Sequence, residues 1–389
     1  MLSRRLASAI IACALASVAC SAVNDDLTVP STVPDPALAS AGGTLSLRIG
    51  SVLSVEGPSA QLDQHANAAL VVAARSRQSE PTIVIESITI SEPSDARSAV
   101  AALIELGVTV VAAPCDPEAS RSVIDAALEA ELLAVTSCAM IPRTRLEPID
   151  GLLDTADLRE DARAIATWSQ RSGPSVAFLE SDLVADVETT CDDSRRSVVD
   201  LGGSIAFTGT WSGLVESPDA VVTAAATQLG GADSIVVCAL PASAPDAVRS
   251  LREAGYTAPI GLPWFAGGAS WPADTEDVFV IEPASSAGDD PAADANEFLR
   301  ALRDRSASPV RGADIVAADA ISLLGSAANR RATVGSRRLW ESLLDGDQQI
   351  VTGSVTVDPA TNALVGRGWR SVEVVGRSLR YAATINIDG

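Results

Sequence analysis

The chain has 389 residues with 50 acidic against 28 basic, and its formal charge of −22 argues against a nucleic-acid or anionic-membrane surface, because phosphate contacts need clustered cations. A hydrophobic content of 47% excludes a disordered chain. Every basic residue is arginine, so no phosphate loop of the GxxxxGK type can form.

Residues 1–19 carry Arg4-Arg5 and then an uncharged apolar run too short to span a bilayer, the layout of an export signal. Ser17-Val18-Ala19-Cys20 is similar to the lipobox of bacterial lipoproteins, which would anchor the chain to the outer face of the cell membrane through a lipid on Cys20. Ordinary secretion or periplasmic residence, with Cys20 lost or idle, is the alternative. Residues 20–43 are rich in Pro, Ser, Ala and Asp without periodicity and read as a flexible tether.

From Thr44 onward lie about 345 residues, enough for two domains. Short β-branched runs alternate with segments of helical period, the pattern of parallel α/β architecture. Strands are expected at Thr44–Leu53, Thr82–Ile90, Val108–Ala113 and Leu132–Ser137, with helices between them. In PCDP, residues 114–117, Asp116 suits an N-cap and Pro117 the first helical position. The pattern restarts after Asp157, with strands at Ser175–Leu179, Ser204–Thr210, Asp233–Leu240 and Pro259–Leu262 and one helix over Asp219–Leu229. A strand at Asp277–Ala284, three late helices and the closing β-type runs Gly353–Val357, Ser371–Val375 and Leu379–Ile387 suggest a return to the first domain before an ending in the second. The expected division is 44–156 plus 285–350 for an N-terminal lobe and 157–284 plus 351–389 for a C-terminal lobe.

Catalytic constellations are scarce. The single histidine, His65, lies in the first helix among alanines and reads as a helix-surface residue rather than a base. GTWSG at 209–213 has its serine misplaced for a nucleophile elbow. There is no CxxC or HExxH, and Asp192-Asp193 and Asp289-Asp290 lack the spacing of a calcium loop, so neither a metal nor another cofactor is expected. Cys115, Cys138, Cys191 and Cys238 are even in number, as an exported chain with disulfides would have. Cys115 and Cys138 follow adjacent strands and would staple two loops at the carboxyl edge of a sheet, where open α/β domains bind ligands. Cys191 would then pair with Cys238, and four free thiols is the alternative.

Nearly all of residues 44–389 resembles a type 1 periplasmic binding protein, specifically the branched-chain amino-acid receptors of ABC importers. The resemblance rests on LRIGSVLSVEGPSAQLD, on GVTVVAAPCDPEAS followed by LLAVTSCAMIP, on GADSIVVCALPASAPDAVRSLREAGYTAPIGLP and on IVTGSVTVDPATNALVGRG. It implies two Rossmann-like lobes joined by three crossings, closing on a small solute and docking with a membrane permease, without catalysis. It implies a ligand rim of Ser59, Gln61, Leu62, Cys115, Ser137, Ala139 and Met140 in the first lobe and Asp182, Leu183, Leu240 and Trp264 in the second. Some members also bridge the positions of Cys115 and Cys138. The family's threonine is absent near Met140, its acid near Trp264 and its tyrosine near Leu183, and an unpartnered buried ammonium is costly. The implied solute is therefore amino-acid-like or, better, apolar or aromatic. The other reading is an envelope sensor or scaffold of the same fold, with its ligand site altered or lost.

Overall fold

Val110–Ala113, Leu133–Thr136 and Ser234–Cys238 are buried at every position, as strands are when helices cover both faces of a parallel sheet. They belong to a computed structural model that describes residues 45–387 apart from 58, 78–80, 137–148, 156–157, 183–189, 213–217, 292–296 and 306–310. The expected signal, tether and Cys20 lie outside the described residues, as do Ser137, Cys138, Ala139, Met140 and Leu183. None of the described helices is long and apolar enough to cross a membrane.

The first lobe opens with β1 (Ser46–Ser54), α1 (Ala60–Ser76), β2 (Thr82–Ile90), α2 (Ala96–Glu105), β3 (Val110–Ala113), α3 (Pro117–Glu129), β4 (Leu133–Thr136) and β5 (Leu152–Asp154). The strands are parallel in the order β2-β1-β3-β4-β5. Alternation along β3 sends Val110 and Ala112 into one core and Val111 and Ala113 into another beneath α2 and α3. Asp116 caps α3 as its sequence suggests, its carboxylate accepting the N–H groups of Glu118 and Ala119 at 3.1 and 2.9 Å.

The chain then builds the second lobe from α4 (Leu158–Ser169), β6 (Ser175–Ser181), α5 (Thr190–Asp200), β7 (Ser204–Trp211), α6 (Asp219–Ala224), α7 (Ala226–Leu229), β8 (Ser234–Cys238), α8 (Ala244–Glu253), β9 (Ile260–Pro263) and β10 (Val278–Glu282). These strands are parallel in the order β7-β6-β8-β9-β10. The helix expected over 219–229 is broken at Ala225, whose φ of −92° and ψ of 7° lie in the bridge region. Gly261 lets the Trp168 indole of α4 lie on β9, because a Cβ there would stand 2.3 Å from the ring. We expect Gly261→Ala to lose about 1–3 kcal/mol in a denaturant titration, the range for overpacking. An unchanged midpoint would mean that Trp168 moves aside freely.

The second crossing returns the chain to the first lobe as α9 (Glu297–Arg305), α10 (Gly312–Arg331) and α11 (Ser336–Leu343). The central helix α10 packs along α1, and small residues such as Ala66, Ala69, Ala73, Ala317, Ala320 and Ala328 lie buried in that shared core. Next come β11 (Gln348–Ile350), β12 (Gly353–Asp358) and β13 (Ala363–Val365), which extend the first sheet beyond β5 in the order β11-β12-β13-β5. This corrects the expected boundary, which placed everything from 351 in the second lobe. Asn362 explains the difference: its side-chain amide donates to the Ile149 carbonyl at 2.7 Å and its own carbonyl accepts the Asp154 N–H at 2.9 Å, which docks β13 on β5. The third crossing is Gly366-Arg367-Gly368, after which β14 (Trp369–Val375) and β15 (Ser378–Ile385) add antiparallel to β10 and complete the second sheet.

Candidate functional site

The candidate residues of the first lobe gather where β1 and β3 end and α1 begins. Ser59, Leu62 and Cys115 are all buried there, whereas Gln61 is exposed. Asp63, which the sequence reading passed over, holds the group together. Its carboxylate accepts the Ser54 N–H at 3.0 Å and the Cys115 N–H at 2.5 Å, so one side chain of α1 ties both strand ends. Burial pushes the Asp63 carboxyl up to about 7 against the pull of those two N–H donors. An acid between Leu62 and Ala66, on the apolar face of α1, was the available signal. Cys115 is disulfide-bonded, and Cys138, its expected partner, lies outside the described residues.

In the second lobe Asp182, Leu240 and Trp264 follow the carboxyl ends of β6, β8 and β9, three neighbours in one parallel sheet. Asp182 is half-buried, while Leu240 and Trp264 are 2% exposed. Leu240 turns the chain into α8, its carbonyl accepting the N–H groups of Ser243 and Ala244, each at 3.0 Å. Trp264 meets Phe265 edge to face at 5.8 Å and lies against Gly312, where a Cβ would stand 3.0 Å from the Trp264 Cβ and carbonyl oxygen. Here the carboxyl edge of the second lobe touches the start of α10 in the first.

Cys191, in the first turn of α5, is bridged to Cys238 at the end of β8 with a Cα separation of 6.4 Å. Glu180 lies beside the bridge and pairs with Arg195, whose guanidinium stands over the Phe178 ring at 5.9 Å. The three groups Glu180, Cys191 and Cys238 would suit a metal only with free thiolates, and the two sulfurs are bonded to each other. We expect replacing both cysteines with alanine to lower stability by about 2–4 kcal/mol, the usual range for losing such a bridge. A melting temperature equal to that of the parent chain would show that the bridge contributes nothing.

Buried charge concentrates at the crossings. At the end of β10, Glu282 is 1% exposed and accepts the Ser286 N–H, and burial pushes its carboxyl up to about 8. Asp314, in the first turn of α10, accepts the Arg311 N–H at 2.9 Å and is pushed up to about 7 by burial. Asp319, one and a half turns on, is fully buried with Arg367 of the third crossing, their charged groups 3.1 Å apart. It also accepts both the N–H and the hydroxyl of Thr352, at 3.1 and 3.0 Å. His65 is half-buried, and burial together with the nearby Arg311 charge lowers its pKa to about 4, so it is neutral under ordinary conditions. Asp314 and Asp319 interrupt an otherwise apolar run, GADIVAADAISLLGSAA, and that interruption was legible; nothing marked Arg311 or Arg367.

Two α/β lobes on mixed sheets, joined by three crossings, define the type 1 periplasmic binding protein fold. In sequence the chain matches no protein-family model and no curated protein. In structure it is similar to a solute binding protein of an ABC transporter from R. palustris in complex with benzoate, with a TM-score of 0.70 and 16% identity over 87% of this chain and 96% of that one. It is similar also to a leucine binding protein from Thermotoga maritima, with a TM-score of 0.71 and 15% identity over 87% of this chain and 99% of that one. A third is the branched-chain amino acid transporter substrate binding protein LivJ from Streptococcus pneumoniae in complex with isoleucine, with a TM-score of 0.69, 18% identity and coverage of 87% and 99%. At these identities the likeness is one of fold.

Proposed function

We propose that the protein is an extracytoplasmic solute receptor, tethered through Cys20, whose lobes close on a small molecule and present it to the permease of an ABC importer. The observation that carries this reading is the meeting of Trp264, at the carboxyl edge of the second sheet, with Gly312 at the start of α10. Parallel sheets bind ligands at their carboxyl edges, and the three crossings leave two such edges free to rotate against each other. The solved structures of the same fold, named for benzoate, leucine and isoleucine, support a small organic solute. Ser59, Leu62, Cys115, Asp182, Leu240 and Trp264 are proposed to line the cleft, together with Ser137, Ala139, Met140 and Leu183. Leu62, Leu240 and Trp264 favour an apolar or aromatic body.

Native mass spectrometry of the full-length protein before and after denaturing dialysis tests the reading. The expected result is a small-molecule adduct that dialysis removes. A clean mass under both conditions, together with a melting temperature unmoved by leucine, isoleucine and benzoate, would defeat it. A stable protein partner recovered in place of the adduct would instead mark an envelope sensor or scaffold.

A further inference from the structure

Arg311 lies between α9 and α10 and immediately precedes α10. It is 9% exposed, and among the described residues its Nη1 has no hydrogen-bond partner and no carboxylate forms an ion pair with its guanidinium. The nearest acid on its own helix, Asp314, attracts the guanidinium through space but makes no ion-pair contact with it. Asp314 turns Oδ2 to the Arg311 backbone N–H, and its Oδ1 is unpartnered as well. From α1, the His65 imidazole is near enough to feel the Arg311 charge and carries no charge of opposite sign. A guanidinium cannot shed its proton to escape burial, so it stays charged where it is. With one acid acting only at a distance, its burial is unfavourable unless a further anion pairs with it.

The position of Arg311 says where that anion would come from. Gly312, the next residue, packs on Trp264, so the arginine stands at the seam where the two lobes touch. It stands also at the N-terminus of a helix of 20 residues, whose dipole favours negative charge at the same end. We propose that Arg311 anchors the anionic group of the solute, so that the receptor takes a monocarboxylate with an apolar or aromatic body and discriminates against its neutral analogues. This rests on the receptor reading above. Trp264, across the seam, brings the closing lobe to the same point.

The test uses the full-length protein, its Arg311→Met and Arg311→Lys variants, and two matched pairs of probes, benzoate with benzamide and 4-methylpentanoate with its amide, read by calorimetry and by native mass spectrometry of whatever co-purifies. The parent chain is expected to bind at least one acid and to reject the matching amide. Arg311→Met is expected to lose about 30-fold or more of that affinity, the effect of truncating one partner of a buried charge pair, and Arg311→Lys to retain part of it. Without ligand, Arg311→Met should melt no lower than the parent, because an unpaired buried charge has been removed. A merely structural arginine would give the opposite shift. An amide bound as tightly as its acid, equal affinity in Arg311→Met, or a co-purified molecule that is neutral would overturn the anion site and leave the receptor standing. No binding of any probe and no co-purified molecule would overturn the receptor reading itself.

Discussion

Arg367→Met is expected to be the most damaging single substitution outside the cores, lowering stability by about 3–5 kcal/mol, because it strands a carboxylate with no exposure to water. Asp319 would keep its bonds from Thr352 but lose the only guanidinium within ion-pair distance among the described residues. The damage should spread beyond the pair. Arg367 is the middle residue of the third crossing, and Glu160, in the first turn of α4, holds that crossing from the second lobe by accepting the Gly366 N–H at 2.6 Å and the Arg367 N–H at 3.4 Å. One short segment is therefore fastened to α10 on one side and to α4 on the other. The double variant Arg367→Met/Asp319→Leu should recover most of the loss, since apolar groups of similar size replace a buried pair at little or no penalty. Denaturant titration decides it. A single variant within about 1 kcal/mol of the parent would mean that water reaches the crossing.

Both lobes were legible in the sequence because their signals are local. Asp116-Pro117 had to start a helix wherever it was placed, and Val110–Ala113 needed burial on both sides in any fold. The edge strands were hidden for the opposite reason. Leu152–Asp154, Gln348–Ile350 and Ala363–Val365 are three residues each and exist as strands only through partners far along the chain. The run at 353–357 was recognisable as β structure, but alternation does not say which sheet a strand joins, and Asn362 docks that hairpin on the first. The candidate site divides in the same way. Positions that follow strand ends could be named in advance. Arg311 and Arg367 could not, because a charged residue is surface by default and only packing between distant helices and crossings makes it buried.

The buried acids also set how stability responds to pH, and the expected optimum is acidic. Asp63 and Asp314 lie at about 7 and Glu282 at about 8 in the folded chain, against ordinary values of 3.8 for aspartate and 4.5 for glutamate. Burial is the largest cause in each. Between those limits the folded state holds protons that the unfolded chain has released, so stability falls as pH rises, by about 1.4 kcal/mol per pH unit for each group. Asp319, at about 6, adds to the fall in the lower part of the window. His65 works the other way between about 4 and its ordinary value of 6.5, because the unfolded chain alone takes up a proton there. It offsets one acid at most, and above 6.5 it offsets none. The rising negative charge of a chain already at −22 acts in the same direction as the acids. Thermal melts across pH 4.5–8.5 at fixed ionic strength should therefore be highest at the acid end of that range and decline steadily to pH 8. Glu282→Gln should flatten the upper part of that decline by keeping the site neutral at every pH. A peak at or above pH 7 would show that these carboxyls are solvated and ionised in the folded protein.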